Sequence, residues 1–208
     1  MLVDLHIHTS ISPCGRQHPE EVIKVAKEKG LSVICLTDHF TTKVSHYIKE
    51  GLQENGLLVF IGLEYSAPEG DFVLLAPELK DFPRGLRAKE VLQEVHRLGG
   101  IAIWAHPYRW GNIPEEELLV SGLVDAIEVL NGRTSPRENA EARDLARSYR
   151  LPGVAGSDAH CLDELGLVAN ETKAEIKTLL DLIETIKAGR LTPKILSEDL
   201  ERAFSFFD

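Results

Sequence analysis

Short apolar runs rich in β-branched residues alternate with amphipathic helical patterns along the chain, and five of these seven runs end in a histidine or an acid. That alternation confines the fold to α/β architectures with a mainly parallel sheet. The runs are LVDLHIH (2–8), SVICLTDH (32–39), LLVFIGLE (57–64), FVLLA (72–76), IAIWAH (101–106), DAIEVLNG (125–132) and PGVAGSDAH (152–160). Between them lie helical patterns at 19–30, 43–54 and 89–100, and one opened by Ser135 and Pro136. In the first, Pro19 suits the opening turn and Gly30 the stop. The stretch 172–189 gives the clearest helix, with a capping-box pattern at Thr172 and Glu175.

Seven such units in 208 residues suit one compact domain, a distorted barrel over residues 1–190. An open doubly wound sheet is the other architecture the pattern allows. The tail, 191–208, ends in an amphipathic stretch with Phe204, Phe206 and Phe207. It packs either on the barrel or on a second copy, which would make a homo-oligomer.

The unusual residues gather at one kind of place. His6 and His8 close the first run, His39 the second, Glu64 the third, His106 the fifth, and Asp158 with His160 the seventh. In parallel α/β folds the carboxyl ends of strands converge on the ligand site. A His-x-His pair on a strand puts both imidazoles on one face, because side chains repeat every two residues. Asp158-x-His160 repeats that geometry. Mixed imidazole and carboxylate donors suit zinc, manganese or iron. Seven candidate ligands exceed what one tetrahedral ion takes, so two or three divalent ions are expected. Asp158, His160 and His106 are expected to serve the reaction as well as the metals.

Charge narrows the substrate. Net charge is −10 with no basic cluster, which disfavours long nucleic acid. A small anionic substrate remains compatible, since bound cations reverse the local field. Arg16, Arg109 and Arg133, all in loops on the expected active face, are the candidate oxyanion partners. No run is long enough for a membrane span and the N-terminus lacks a signal-peptide pattern, so a cytoplasmic protein is expected. Three cysteines suggest no disulfide framework. Cys35 reads as core and Cys161 as an inert thiol. His46 and His96 read as structural, His18 as a helix start, and Asp38 as a residue orienting an imidazole. Asp4 either does the same or is buried and hydrogen-bonded. The direction of Glu128 is not fixed by its position within a strand.

The motifs DLHIHTSISPCG (4–15), LTDH (36–39), GLE (62–64), AHP (105–107) and GSDAH (156–160) resemble, in order, those of the polymerase and histidinol phosphatase (PHP) family of metal-dependent phosphoesterases. The resemblance implies a distorted (β/α)7 TIM-like barrel, two or three metals and phosphoester hydrolysis. By position, His6 and His8 would share a metal with Glu64 and Asp158, Glu64 would bridge to an ion held by His106, and His39 with His160 would hold a third. Two departures stand out. Pro13 and Cys14 occupy the stretch where the family often has a further His or Asp, and Cys14 is in register to ligate. On the fourth run, Asp71-Phe72-Val73-Leu74 replaces a stretch that carries a histidine ligand in many relatives. The leading expectation is a phosphomonoesterase acting on a small phosphorylated metabolite or nucleotide. The alternatives are an amidohydrolase-like metal hydrolase and a metal-binding domain without activity.

Overall fold

The computed structural model describes residues 1–204; the tail's Phe206 and Phe207 lie outside the described residues. Eleven strands form within the described residues: β1 (Leu2–Ile7), β2 (Val33–Leu36), β3 (Gly51–Leu52), β4 (Leu58–Ile61), β5 (Leu63–Ala67), β6 (Gly70–Leu75), β7 (Ile101–Ala105), β8 (Ala126–Asn131), β9 (Gly153–Gly156), β10 (Val168–Glu171) and β11 (Thr192–Ile195). The helices are α1 (Pro19–Glu28), α2 (Ala88–Arg97), α3 (Glu116–Val120), α4 (Pro136–Tyr149), α5 (Leu179–Lys187) and α6 (Glu198–Phe204). None is long and apolar enough to cross a membrane.

The chain is α/β, but its strands form two mixed sheets rather than a ring of seven β/α repeats. One sheet has the order β11-β10-β1-β2-β4-β3 and the other β5-β6-β7-β8-β9. The runs β1-β2-β4 and β7-β8-β9 are parallel, as the alternation implies. The departures have local causes. Only Pro68 and Glu69 join β5 to β6, too few residues for a parallel crossover, so the pair is an antiparallel hairpin. The expected single strand over 57–64 breaks at Gly62, where a Cβ would stand 2.4 Å from the Leu74 carbonyl oxygen. The helix expected over 43–54 is a 3-10 turn at Lys43–His46 followed by β3.

Two seams join the sheets, each by a single bridge: Ile7 with Ala159, and His39 with Glu64. At the first seam, Asn170 on β10 adds a buried side-chain link. Its Nδ2 donates to the carbonyls of Val3 on β1 (3.0 Å) and Ala155 on β9 (2.7 Å), and its Oδ1 accepts the Ala155 N–H (2.8 Å).

Between the sheets lies an apolar core of Val3, Leu5, Val33, Phe60, Val73 and Ile103, closed by Leu182, Ile183 and Ile186 of α5. α1 covers the outer face of the first sheet, and α2, α3 and α4 that of the second. Strands covered on both faces explain why β2 and β7 read as unbroken apolar runs. α5 begins seven residues after Thr172: its cap is Thr178, whose Oγ1 accepts the Asp181 N–H at 3.1 Å. In the tail, β11 pairs with β10, and Leu200 of α6 packs with Ile195 against Leu130 and Val168.

Candidate metal centre

The carboxyl ends of β1, β7 and β9 meet at the rim where the two seams converge. His6 and His8 come together at the end of the first strand, beyond a register shift between Asp4 and Ile7. The His6 and His8 Nε2 atoms stand 3.1 Å apart. Glu64 enters from β5 with Oε2 3.3 Å from His6 Nε2 and 3.1 Å from His8 Nε2. Asp158, just past β9, places Oδ1 3.6 and 3.3 Å from the same two nitrogens. A tetrahedral ion with bonds of about 2.0–2.2 Å requires ligand-to-ligand edges of about 3.3–3.6 Å. His6, His8 and Asp158 thus form one ligand group of nearly this spacing, and Glu64 Oε2 stands against both histidines as a fourth donor.

Asp158 Oδ1 is buried with no hydrogen-bond partner, as are His8 Nδ1 and His39 Nδ1. A buried acceptor without a donor needs an explanation, and a cation among these atoms supplies one. His6 is prepared for the same role: its Nδ1 lies 3.0 Å from Glu128 Oε1, which keeps the proton on Nδ1 and turns the Nε2 lone pair inward.

Three further groupings surround this quartet. His8, Cys14, His39 and His160 bring ligand atoms within 4.8 Å of one another, as do Glu64, Asp71 and His106, and likewise His6, His106 and Glu128. Glu64 links them, with Oε2 3.2 Å from His39 Nδ1 and Oε1 3.1 Å from His106 Nε2. His160 Nδ1 donates to the Asp158 carbonyl at 2.7 Å, leaving its Nε2 free for another partner. Cys14 is exposed, on a loop held by Gln17 Nε2 donating to the carbonyls of His8 and Ala159. That loop needs Gly15, where a Cβ would fall 2.0 Å from the Thr9 carbonyl oxygen.

Backbone strain concentrates here. His106 and Asp158 hold φ of 29° and 53°, and Phe40, beside His39, holds 61°. Non-glycine residues in this region are uncommon and cluster at functional sites. Gly156 meets a different demand: a Cβ there would lie 2.3 Å from Glu128 Oε1 and 2.4 Å from His6 Cβ.

The fields of these groups oppose their burial. Burial pushes the Glu64 carboxyl up, but His6, His106 and His8 hold it well below its ordinary range. Asp158 is likewise held well below it, by His6, His8 and Arg109 against the effect of burial. For His6, burial acts downward, yet Glu64, Asp158 and Glu128 raise it well above its ordinary value. His39 and His160 move the other way, lowered first by burial. Burial raises the Cys14 thiol.

Several polar residues take roles the sequence leaves open or misassigns. Asp38 orients no imidazole; its carboxylate accepts the Thr9 N–H and hydroxyl, each at 2.7 Å, and the Ser12 N–H at 3.2 Å, fixing the 9–12 turn. Asp4 is buried and accepts from the Ser157 and His6 N–H groups. Desolvation raises its carboxyl to about 6. Glu128 and Asp71 are the participants sequence reasoning missed. Asp71 opens β6, which runs antiparallel to β7, so its amino end lies beside the carboxyl end that bears His106. The cue was its position on the run that lacks a histidine. His96 bonds Asp125 at 2.8 Å, away from the centre.

Arg109 Nη2 donates to Asp158 Oδ2 (2.5 Å), Asn131 Oδ1 (2.8 Å) and Thr134 Oγ1 (3.1 Å), which turns Asp158 Oδ1 toward the histidines. Together with Trp110, Arg133, Glu138 and His160 it lines a cavity of about 310 Å³ opening beside the centre. Arg16 is exposed and is not among the described residues of that lining; its backbone N–H bonds the His160 carbonyl. A larger cavity of about 1170 Å³, between α4, α5 and β11, contains none of the candidate ligands in its described lining.

Comparison with known proteins gives the following. A family described as PHP-associated matches residues 136–191. The uncharacterized protein MJ1587 of Methanocaldococcus jannaschii is 36% identical over 118 residues, covering 52% of this chain and 68% of its own. Among solved structures, PsfC of Pseudomonas syringae aligns with a TM-score of 0.78 at 18% identity over 99% of this chain and 95% of its own. A two-domain protein of Bacteroides vulgatus, described as containing a predicted PHP-like metal-dependent phosphoesterase, gives 0.73 at 21% identity over 99% and 69%. The lesion-specific endonuclease EndoQ of Pyrococcus furiosus gives 0.68 at 19% over 94% and 57%. At these identities the structural likeness speaks to the fold.

Proposed function

This chain belongs to the PHP family, and from that premise we propose that its centre hydrolyses a phosphoester of a small metabolite or nucleotide, most simply a monoester. The observation that carries the reading is the buried group His6, His8 and Asp158, whose donor atoms lie 3.1–3.6 Å apart, with Glu64 Oε2 within 3.3 Å of both histidines. His6, His8, Glu64 and Asp158 would hold one divalent ion. His106 with Glu64 and Asp71 would hold a second, and His39 with His160 and Cys14 a third. Zinc, manganese and iron suit these donors.

Divalent ions, when bound, supply polarisation of a phosphoryl group and activation of water near neutral pH. The remaining work falls to the chain. Glu128 fixes the His6 ring, and Asn131 steadies Glu128 and Asp158 together, donating at 3.0 and 3.3 Å. Arg109 holds Asp158 while presenting the rest of its guanidinium to the cavity, where Arg133 faces it. The two cations would take the phosphoryl oxygens that the reaction loads with charge. His160, its Nδ1 proton committed to a carbonyl, is placed to exchange a proton through Nε2 if the third ion does not claim it. A cavity of about 310 Å³ with two arginines, in a chain of net charge −10, favours a small anion over a polymer.

The test is phosphate release from nucleotides, sugar phosphates and short oligonucleotides, with manganese or zinc added, against a chelator control. Metal-dependent release that disappears in His8→Ala and Asp158→Ala, by at least about a thousand-fold, is the expected result. Metal-loaded protein inert on every phosphoester, yet active on amide or lactone substrates, would replace this reading with the amidohydrolase one. Cleavage confined to oligonucleotides would replace the small substrate with nucleic acid.

A further inference from the structure

The chain has two tryptophans, and they are treated in opposite ways. Trp104 is buried on β7 against Phe72, at 1% exposure. Trp110 is 89% exposed, on the loop that follows His106. Its backbone sits at φ 61°, ψ 21°, a left-handed conformation that a bulky residue adopts at a cost. Glycine at 111, also left-handed, shows that this loop already uses the residue suited to such a geometry.

The loop is nevertheless fixed. Arg109 N–H donates to the His106 carbonyl at 2.9 Å, Gly111 N–H to the Tyr108 carbonyl and Asn112 N–H to the Arg109 carbonyl, both at 3.2 Å. Arg109 itself is clamped to Asp158, Asn131 and Thr134. Trp110 is thus an apolar ring held out by a strained backbone at a set distance from the metal centre. It makes no ring or cation contact among the described residues, and it forms one wall of the cavity shared with Arg109, Arg133 and His160.

We propose that Trp110 is the specificity-determining residue of this site, a stacking platform for a planar aromatic group on the substrate, which makes the preferred substrate a nucleotide rather than a sugar or alkyl phosphate. The inference rests on the hydrolase reading above and narrows it. The cavity divides into a cationic end, where Arg109 and Arg133 face the phosphate, and the Trp110 wall, where a base lies flat. Glu138, held by the Ser135 N–H (3.0 Å) and hydroxyl (2.6 Å), adds an acceptor on the same lining for a sugar hydroxyl or a base N–H. Tryptophan offers the strongest π-face for such contact, and it serves any base because every base has one.

The experiment compares kcat/KM for adenosine 5′-monophosphate and ribose 5-phosphate in wild type, Trp110→Ala and Trp110→Phe, all metal-loaded. Stacking predicts that the nucleotide-to-sugar selectivity falls roughly ten- to a hundred-fold in Trp110→Ala, chiefly through KM, and is largely restored in Trp110→Phe. An unchanged selectivity ratio overturns the proposal. A second readout needs no turnover. Trp104 is shielded, so saturable quenching of tryptophan fluorescence by adenosine 5′-monophosphate, absent with ribose 5-phosphate and absent in Trp110→Phe, supports stacking even if no ester is hydrolysed. Ester hydrolysis without such quenching sinks the stacking role and leaves the hydrolase reading standing.

Discussion

At the scale of single residues, Glu128 carries the most easily tested claim. It touches His6 Nδ1 with one oxygen and receives the His106 N–H (2.9 Å) and Asn131 with the other. Partners of this kind tune a ligand without being one, and losing them typically weakens metal binding about 10–100-fold. Glu128→Gln keeps the volume and removes the charge facing His6. We expect zinc affinity by competition with a chromophoric chelator to fall in that range while the melting temperature of the metal-free protein changes little. Unchanged affinity would mean that Glu128 is merely a buried, satisfied carboxylate. The gathering of His6, His8, His39, Glu64, His106, Asp158 and His160 was legible because each lies at or just past the carboxyl end of an apolar run, where strand ends converge. The strand periodicity expected for Asp158-x-His160 does not hold, since Asp158 lies past β9 in a left-handed conformation. Glu128 was not legible, since which face of a strand looks inward depends on partners distant in sequence. Asp38 was misread for a related reason: the turn at 9–12, which takes up its carboxylate, leaves no periodic signal.

At the scale of elements, caps and turns decided where sequence reading succeeded. Pro19 and the Ser135–Pro136 pair open α1 and α4 as expected, with Ser135 Oγ accepting the Glu138 N–H. The 172–189 stretch held two threonine boxes, and the one at Thr178 and Asp181 won because Leu179, Leu182, Ile183 and Ile186 fall on the face that closes the core. Asp81 governs a loop rather than a helix. It accepts the Thr41 hydroxyl (2.9 Å), the Thr42 N–H (2.8 Å) and the Thr42 hydroxyl (3.1 Å), tying its segment to the turn after His39. Burial is the largest single influence and raises its carboxyl, but these donors and Lys43 together outweigh it and the net shift is downward. A lowered folded-state pKa means a contribution present above the unfolded value and lost as pH falls through the folded one. Asp81→Asn should therefore lower stability by at most about 1 kcal/mol at neutral pH, because the group is largely exposed. The deficit should vanish in the acid range below the ordinary aspartate value. Melting curves across pH check this; a deficit independent of pH would contradict it.

For the whole molecule, α/β alternation was readable while the division into two sheets was not. Alternation shows which segments are strands; the sense of pairing depends on crossover length and on contacts far apart in sequence. The hairpin β5–β6 follows from its two-residue connection, while the antiparallel return of β10 and β11 follows from contacts far apart in sequence. Asn170 shows how much rests on one non-local residue, since it ties β10 to both β1 and β9 from a fully buried position. Asn170→Ala leaves buried backbone groups without partners and should cost about 3 kcal/mol in urea unfolding. A loss below about 1 kcal/mol would show that the backbone ladder holds this seam unaided.

The seams themselves carry a consequence for how this molecule can change. The His39–Glu64 contact crosses one of them, and the contacts of His6 and His8 with Asp158 cross the other. The side chains gathered for chemistry are thus also part of the joinery of the shell, beside the few backbone hydrogen bonds that cross each seam. A mutation that trims the reactive cluster also unfastens an edge, and one that warps an edge also misaligns the cluster. Room to rewrite selectivity without disturbing the frame then lies in side chains that stand clear of the joints, such as the exposed ring of Trp110, even though the loop that carries it is tied to Asp158 through Arg109.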